Sequence, residues 1–357
     1  MGLCIMSPDR VDGEMSGYLT LEQLALEKGI PLSAHIELTR RCRWRCLFCY
    51  STHGRSTQSR VLRLDEWIRI LDELRVLGTL SIAFTGGDPL EHPAFFEIAE
   101  AARDRAFALR ILTNGSRLGG DVPDRVAALR PLSVEMSLHG SSAAAHDAVT
   151  RREGSFAEVW SAAAALRERN VPILLKTLLT SLSAPQLDEI IELAARRGVP
   201  LRVDPMVSPC DDGDRGPLRF RPPRRAVERL MGRLAEEGRL PTVRRRRPNQ
   251  LNCGVGRTTI AIDSEGRVYP CPLWRAGSLG DVRARSLPEM WRDSPVREEA
   301  SAVSVRANEM LREAGGALAR FPFCPAFAHK ITGDPLGLSP AFTASARAAE
   351  KARVTRS

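Results

Sequence analysis

The 357-residue chain lacks an apolar segment long enough to cross a membrane. A membrane-spanning helix needs about 20 consecutive, mostly apolar residues, and charged residues interrupt this sequence well before that length. The N-terminus also lacks the layout of a secretory signal peptide. We therefore expect a soluble, cytoplasmic protein that has no membrane partner.

No aromatic residue interleaves with the densest basic run of the chain, although the formal net charge is +9. The run Arg244–Arg247 lies between Pro241 and Pro248. Proteins that bind single-stranded nucleic acids stack the bases on aromatic side chains beside their basic groups. We therefore interpret the run as part of a solvated linker, and we do not expect a nucleic-acid partner.

Eight cysteines in a chain without a signal peptide favour metal or redox chemistry over disulfide bonds. Three of them, Cys42, Cys46 and Cys49, are spaced C-x3-C-x2-C. Such a loop can bind three irons of a [4Fe–4S] cluster and leave the fourth iron open to a substrate or cosubstrate. Zinc stays an alternative on spacing alone, because His53 is near enough to be a fourth ligand.

Strand and helix patterns alternate along the first part of the chain. The predicted strands are His35–Leu38, Leu80–Thr85, Leu109–Thr113, Ser133–Leu138, Ile173–Leu179 and Leu201–Pro205. The predicted helices between them are Leu64–Leu77, Ala94–Arg105, Asp124–Leu129, Phe156–Arg169 and Gln186–Arg197. This α/β alternation predicts parallel strands with right-handed crossovers, in a doubly wound sheet or a partial barrel.

Polar motifs follow the first four predicted strands. The cysteine loop follows the first strand, Gly86, Gly87 and Asp88 follow the second, Asn114 follows the third, and Ser137 lies at the end of the fourth. Ligands bind at the carboxyl ends of parallel strands, so we expect one pocket to gather these segments. Each motif also has a plain structural alternative, because Gly-Gly-Asp-Pro and Asn-Gly are common turn sequences.

The cysteine loop, the Gly-Gly-Asp-Pro segment and the β–α alternation together resemble the radical S-adenosylmethionine (SAM) enzymes over about residues 30–205. The resemblance implies a partial (β/α)6 TIM-like barrel with a [4Fe–4S] cluster on the three cysteines of the loop. It also implies that SAM binds to the open iron. A 5′-deoxyadenosyl radical then forms and abstracts a hydrogen atom from the substrate.

The resemblance further implies where SAM would bind. Gly86–Asp88 matches the family's Gly-Gly-Glu-Pro segment at the SAM amino group, with an aspartate in place of the longer glutamate. Ser137 would contact the ribose, Asn114 the adenosine, and Lys176 the SAM carboxylate unless it extends to solvent. His139 is the candidate catalytic residue, since a histidine beside the pocket would titrate near neutral pH.

Cys253, Cys271 and Cys324 form a second group. Cys271 follows a predicted β-hairpin of Thr258–Ile262 and Arg267–Pro270. The pattern resembles C-terminal SPASM domains, and their shorter twitch form, which carry an auxiliary [4Fe–4S] cluster. The fourth ligand could be Cys210, a nearby residue or the substrate, and buried, unligated cysteines are the structural alternative.

The expected domain organisation follows from these patterns. It comprises an N-terminal extension (1–33), the radical SAM core (34–206), a connector (207–250), a small twitch or SPASM-like iron–sulfur domain (251–340) and a flexible tail (341–357).

Two segments resemble the peptide-maturing branch of the family, which includes the pyrroloquinoline-quinone precursor maturase. These are Pro31–Arg40 and the pattern around Ser137–Gly140, His146-Asp147 and Gly154–Phe156. This implies crosslinking, epimerisation or oxidation of a ribosomally made precursor peptide. It also implies a separate peptide-binding chaperone and an electron donor such as flavodoxin or ferredoxin. A small-molecule radical SAM dehydrogenase or rearrangement enzyme of natural-product biosynthesis and a non-catalytic electron-transfer protein are the alternatives.

Overall fold

The structure is a computed structural model that describes residues 15–51, 61–241 and 246–355, with side chains from residue 21 onward. His53 of the zinc alternative and two arginines of the basic run, Arg244 and Arg245, lie outside the described residues. Among the residues described, no helix is long and apolar enough to cross a membrane.

The strands in the described part of the chain belong to one sheet. They are β1 Ser33–Thr39, β2 Ser81–Gly86, β3 Ala108–Thr113, β4 Ser133–Ser137, β5 Ile173–Leu178, β6 Leu201–Asp204, β7 Thr259–Ile262, β8 Arg267–Tyr269 and β9 Gly280–Asp281. Their order is β6-β5-β4-β3-β2-β1-β7-β8-β9. Strands β1 to β6 are parallel and follow one another in sequence order. The predicted six-strand parallel arrangement is therefore confirmed.

Helices connect the parallel strands and form the C-terminal part. They are α1 Met15–Lys28, α2 Leu64–Val76, α3 Phe95–Asp104, α4 Val122–Ala128, α5 Ala143–Thr150, α6 Ser155–Glu168, α7 Leu187–Arg196, α8 Arg224–Glu236, α9 Leu287–Asp293, α10 Pro295–Ala314, α11 Gly316–Arg320, α12 Pro325–Thr332 and α13 Pro340–Val354. Short 3-10 helices cover Pro89–Glu91, Ala184–Gln186 and Gly216–Phe220.

The sheet buries one face under helices and leaves the other face polar. On β1, Ile36 and Leu38 are fully buried in the same core cluster as Trp67 and Leu71 of α2. Side chains alternate between the two faces of a strand, so Glu37 points to the opposite, inner face. The residues that share this inner face on the other strands include Arg110, Glu135, Ser137, Lys176 and Arg202.

The C-terminal hairpin extends the parallel sheet. Strand β7 pairs with β1 in parallel, with His35 opposite Ala261, and β8 returns antiparallel to β7. The predicted hairpin is thus confirmed, and its turn requires a glycine because Gly266 has φ +91°. The pairing joins the second cysteine group to the same sheet as the first.

The predicted flexible tail is wrong as far as Val354. Helix α13 packs against α8, and Phe342, Ala346 and Ala349 are buried in a second core with Leu230. These three residues are spaced i, i+4 and i+7, which places them on one face of a helix. The small alanine side chains of α13 allow the two helices to pack closely.

The prediction of a solvated basic linker is also wrong at Arg246. Its guanidinium is buried and donates hydrogen bonds to the backbone oxygens of Ala319 and Phe321 and to the side-chain oxygens of Asn252 and Asn308. Arg246 therefore fastens the connector to the C-terminal helices, because a buried cation requires such partners.

We expect the Phe342→Ala substitution to destabilise the protein by about 3 kcal/mol, since it removes a buried aromatic ring that contacts Phe321 and Phe323. Urea unfolding of the wild type, this variant and a control variant measures the change in the free energy of unfolding. The control is Val354→Ala in the same helix, where the side chain is 66% exposed and the expected change is within about 0.5 kcal/mol. Equal free energies for the two variants would show that α13 is not docked.

Candidate active site

The first cysteine loop lies at the carboxyl end of β1 and is held by the end of α5. The backbone amides of Arg45 and Leu47 donate to the carbonyl oxygens of Thr150 and Val149, at 2.9 and 3.1 Å. Within the loop, the Cys49 amide donates to the Cys46 oxygen at 3.1 Å. These bonds fold the loop into a compact turn that brings its three thiols together.

The three thiols of this loop disfavour ionisation unless a cation binds them. Burial raises the pKa of Cys42, Cys46 and Cys49, in the last case to about 12. The neighbouring thiols Cys49 and Cys42 raise the pKa of Cys46 further. Three neighbouring, buried thiolates require positive charge nearby. The irons of a cluster would supply it when they displace the thiol protons. The donor set therefore fits an iron–sulfur cluster.

An aromatic group packs behind the cysteine loop. The Trp44 ring contacts the His146 ring edge-on, with 5.2 Å between the ring centroids. The Phe48 ring contacts the His139 ring in the same way, with 4.9 Å between the centroids. The His139 amide donates to Nδ1 of His146 at 3.0 Å. Burial and the nearby His146 lower the pKa of His139 to about 3, so its expected titration near neutral pH is wrong. His139 also supports Phe48, the residue before Cys49, and its catalytic role stays a prediction.

The Gly-Gly-Asp segment is pressed against the start of the cysteine loop. The Gly87 amide donates to the Thr39 oxygen at 2.6 Å, and the Asp88 amide donates to the Arg41 oxygen at 2.8 Å. A Cβ atom at Gly86 would lie 2.3 Å from the Thr39 oxygen, and one at Gly87 would lie 2.2 Å from the Arg41 oxygen. Both positions require glycine, because two backbones meet there without room for a side chain. Contact of Gly86 and Gly87 with SAM stays a prediction.

The Asp88 carboxylate is fully buried and serves an internal role. It accepts hydrogen bonds from the Thr113 hydroxyl at 2.7 Å, the Asn114 amide at 2.8 Å and the Leu90 amide at 3.0 Å. Both carboxylate oxygens are therefore engaged with the protein. The carboxylate turns toward the end of β3, and its contact with the SAM amino group stays a prediction.

Asn114 contacts the cysteine loop directly. Its side-chain nitrogen Nδ2 donates to the sulfur of Cys42 at 3.3 Å, and its Oδ1 accepts from the Ser116 amide at 2.8 Å. The side chain is buried. The structure therefore brings Asn114 to the candidate cluster, whereas its contact with adenosine stays a prediction.

Lys176 pairs with a buried carboxylate on the inner face of the sheet. Its Nζ lies 3.0 Å from Glu135, which also accepts from Nε of Arg110 at 2.7 Å. Burial opposes ionisation of Glu135, but the charges of Lys176 and Arg110 outweigh it and lower its pKa to about 2. Ser137 stands opposite Lys176 in the β4–β5 register. Contacts of Ser137 and Lys176 with SAM stay predictions.

The second cysteine group is gathered by the hairpin and α12. Cys271 follows β8. Cys324 caps the N-terminus of α12, where its sulfur accepts a hydrogen bond from the Phe327 amide at 3.4 Å. The Cys253 amide donates to the Ser304 hydroxyl at 3.0 Å. Burial raises the pKa of all three thiols, and Cys271 and Cys253 raise that of Cys324 further, to about 12. These thiols are therefore close neighbours that also fit an iron–sulfur cluster.

Cys210 does not join the second group. Its sulfur donates to the Cys49 carbonyl oxygen at 3.4 Å, which places it beside the first cysteine loop. The hypothesis that Cys210 completes the second site is therefore wrong. In the described part of the chain, no three His, Cys, Asp or Glu side chains are arranged to hold a single metal ion.

An ionic network between the two cysteine groups was missed by the sequence reasoning. Arg275, four residues after Cys271, contacts Glu37 on β1 and lies 3.7 Å from Asp211. Asp211 also pairs with Lys330 of α12 at 2.5 Å. Asp211 is therefore held by two cations of the C-terminal part of the chain. The signal in the sequence was Glu37, a carboxylate between the two buried apolar residues Ile36 and Leu38 of β1.

The fold and the paired cysteine sites define a cluster-binding α/β enzyme, and family comparisons specify which. Residues 36–200 match the family described as the radical SAM superfamily, and residues 253–318 match the iron–sulfur cluster-binding domain called SPASM. The chain therefore carries a radical SAM domain followed by a SPASM domain, as the sequence resemblance implied. The radical SAM domain implies a [4Fe–4S] cluster and SAM, and the SPASM domain implies auxiliary iron–sulfur clusters. Both agree with the cofactors expected from the sequence.

Relatives of the chain include a peptide cyclase and a maturase, which agrees with the branch that the sequence resemblance implied. The chain is 26% identical to the PqqA peptide cyclase of Ruegeria pomeroyi over 87% of this chain and 86% of that protein. It is 28% identical to the mycofactocin maturase MftC of Mycobacterium tuberculosis over 71% of this chain and 67% of that protein.

Solved structures confirm the fold. A structure of anSMEcpe with bound SAM matches with a TM-score of 0.70 at 16% identity, covering 91% of this chain and 94% of that chain. Streptococcus suis SuiB bound to its precursor peptide SuiA matches with a TM-score of 0.61 at 15% identity, covering 81% of this chain and 72% of that chain.

Proposed function

We propose that this radical SAM enzyme modifies a ribosomally made precursor peptide in the cytoplasm. The observation that carries the proposal is the similarity to a peptide cyclase along 87% of the chain. The expected products are a crosslink, an epimerised centre or an oxidised side chain. The proposal extends to a separate peptide-binding chaperone and to flavodoxin or ferredoxin as the electron donor.

Cys42, Cys46 and Cys49 would hold the first cluster, and the three cysteines of the SPASM region would hold the auxiliary one. When bound, the first cluster and SAM supply the 5′-deoxyadenosyl radical that takes a hydrogen atom from the substrate. The cysteine loop lies at the carboxyl end of β1, whereas Cys253 precedes β7 and Cys271 follows β8 near the amino end of β1. The two sites are therefore separated by roughly the length of β1, about 20 Å.

Charged side chains on the inner face of the sheet would orient the peptide. Arg110, Glu135 and Lys176 lie on the inner face of the sheet, and the Glu37–Arg275 pair lies between the two cysteine groups. Each cation is paired with a carboxylate, which keeps the charges fixed in position. Such a surface suits the polar backbone of an extended peptide, because both hydrogen-bond donors and acceptors are presented.

The test is to incubate the reconstituted protein anaerobically with SAM, dithionite and each short peptide that is encoded beside its gene. We expect a SAM-dependent mass change in one peptide, located by tandem mass spectrometry, and no change with the Cys42→Ala variant. Conversion of a small molecule from the same gene cluster, with every such peptide unchanged, would overturn the peptide proposal in favour of a small-molecule enzyme.

A further inference from the structure

The contact between Asn114 and Cys42 has a single defined orientation. The amide oxygen Oδ1 is occupied by the Ser116 amide at 2.8 Å, so the amide nitrogen is the group that faces the Cys42 sulfur at 3.3 Å. If the two amide atoms were exchanged, Oδ1 would face the Cys42 sulfur. The donor Nδ2 would then face the Ser116 amide, which is also a donor. The sulfur therefore receives a hydrogen bond from Asn114.

Asp88 holds Asn114 in this position. Its Oδ2 accepts both the Asn114 backbone amide at 2.8 Å and the Thr113 hydroxyl at 2.7 Å, and its Oδ1 accepts the Leu90 amide. The chain of contacts runs from the Gly-Gly-Asp segment, through the end of β3, to the cysteine loop. Asp88 and Asn114 are both buried, so water does not compete for these bonds.

We propose that Asn114 is a positioning residue that raises the reduction potential of the first cluster through its hydrogen bond to Cys42, and that Asp88 acts through Asn114. Reduction adds an electron to the cluster and increases the negative charge on its sulfur ligands. A donor aimed at one of these sulfurs stabilises the reduced form more than the oxidised form. The inference rests on the assignment of Cys42 to the first cluster.

The test is a redox titration of the reconstituted full-length protein. The reduced first cluster is monitored through the EPR signal that changes when SAM is added. Loss of the donor in Asn114→Ala should disfavour reduction about tenfold, which is a downward shift of about 59 mV for a one-electron couple. Asn114→Asp should shift the potential further downward, because it places a negative charge beside Cys42. The matched control is Ser116→Ala, which keeps the backbone amide that orients Asn114 and should titrate like the wild type.

A second measurement covers variants that assemble little cluster. Electron–nuclear double resonance in D2O should detect an exchangeable proton coupled to the wild-type cluster, lost in Asn114→Ala and retained in Ser116→Ala. Equal potentials and equal proton couplings in all variants would overturn the inference while leaving the proposed function intact. A wild-type protein that forms no SAM-perturbed cluster signal would overturn the assignment of Cys42 as well.

Discussion

Replacing Cys42, Cys46 and Cys49 together by alanine will reduce 5′-deoxyadenosine formation from SAM to the uncatalysed background. The three thiols are the candidate ligands of the first cluster, and their loop contacts both the Gly-Gly-Asp segment and Asn114. About four irons per chain should remain at the second cysteine group, because each cubane contains four. Product formation by liquid chromatography and iron content by colorimetry measure the two effects.

Cys210→Ala is the matched control for this triple substitution. Cys210 is buried beside Cys49, where its sulfur donates to the Cys49 backbone oxygen, and it lies outside the C-x3-C-x2-C loop in the sequence. We expect this variant to keep about eight irons per chain and to cleave SAM at a rate close to that of the wild type. Cleavage that persists in the triple variant would refute the ligand assignment.

Gly87→Ala will disrupt the same site without removing a ligand. The new Cβ would lie 2.2 Å from the Arg41 carbonyl oxygen and 2.6 Å from its carbon, so backbone atoms of the cysteine loop would have to move. We expect a loss of about 3 kcal/mol in stability from this overpacking. SAM cleavage should fall by about 100-fold or more, since an error of about 1 Å in a catalytic position has that effect.

Gly119→Ala provides the control, because a Cβ at Gly119 meets no atom within 4 Å. Thermal unfolding and 5′-deoxyadenosine formation should both match the wild type in this variant. The two substitutions add the same methyl group, so they separate the local clash from the general effect of alanine on a loop. If Gly87→Ala behaved like Gly119→Ala, the close contact between the Gly-Gly-Asp segment and the cysteine loop would be wrong.

The periodic part of the fold could be predicted from the sequence because its signals are local. Helix α2 places Trp67, Ile70, Leu71 and Leu74 on one buried face, as the 3.6-residue period predicts. The hairpin turn follows in the same way from Asp263, whose carboxylate accepts the amides of Glu265 and Arg267. Such features depend on a few neighbouring residues and on the period of the strand or helix.

The features that were missed depend on contacts between distant residues. Arg246 looked like part of a solvated run, but its partners Asn308 and Phe321 come more than 60 positions later. Cys210 had two cysteine groups within reach in the sequence, and only the fold placed it beside Cys49. A charged or sulfur-containing side chain is buried when partners are brought to it, and a single sequence does not encode those partners as a local pattern.

Asp88 shows that the position of a motif is easier to predict from sequence than the direction of its side chain. The Gly-Gly-Asp-Pro segment was expected at this edge of the sheet, and it lies there. The carboxylate nevertheless turns toward Thr113 and Asn114, where it satisfies three donors inside the protein. The position of the segment follows from strand order, whereas the direction of its side chain depends on which donors the next strand provides.

The most direct test of the central claim is whether the wild-type protein, reconstituted anaerobically with iron and sulfide, converts SAM to 5′-deoxyadenosine when dithionite is added. The account predicts that 5′-deoxyadenosine and methionine form in equal amounts, in protein that contains about eight irons per chain. A protein that holds both clusters and yet forms no 5′-deoxyadenosine would contradict it.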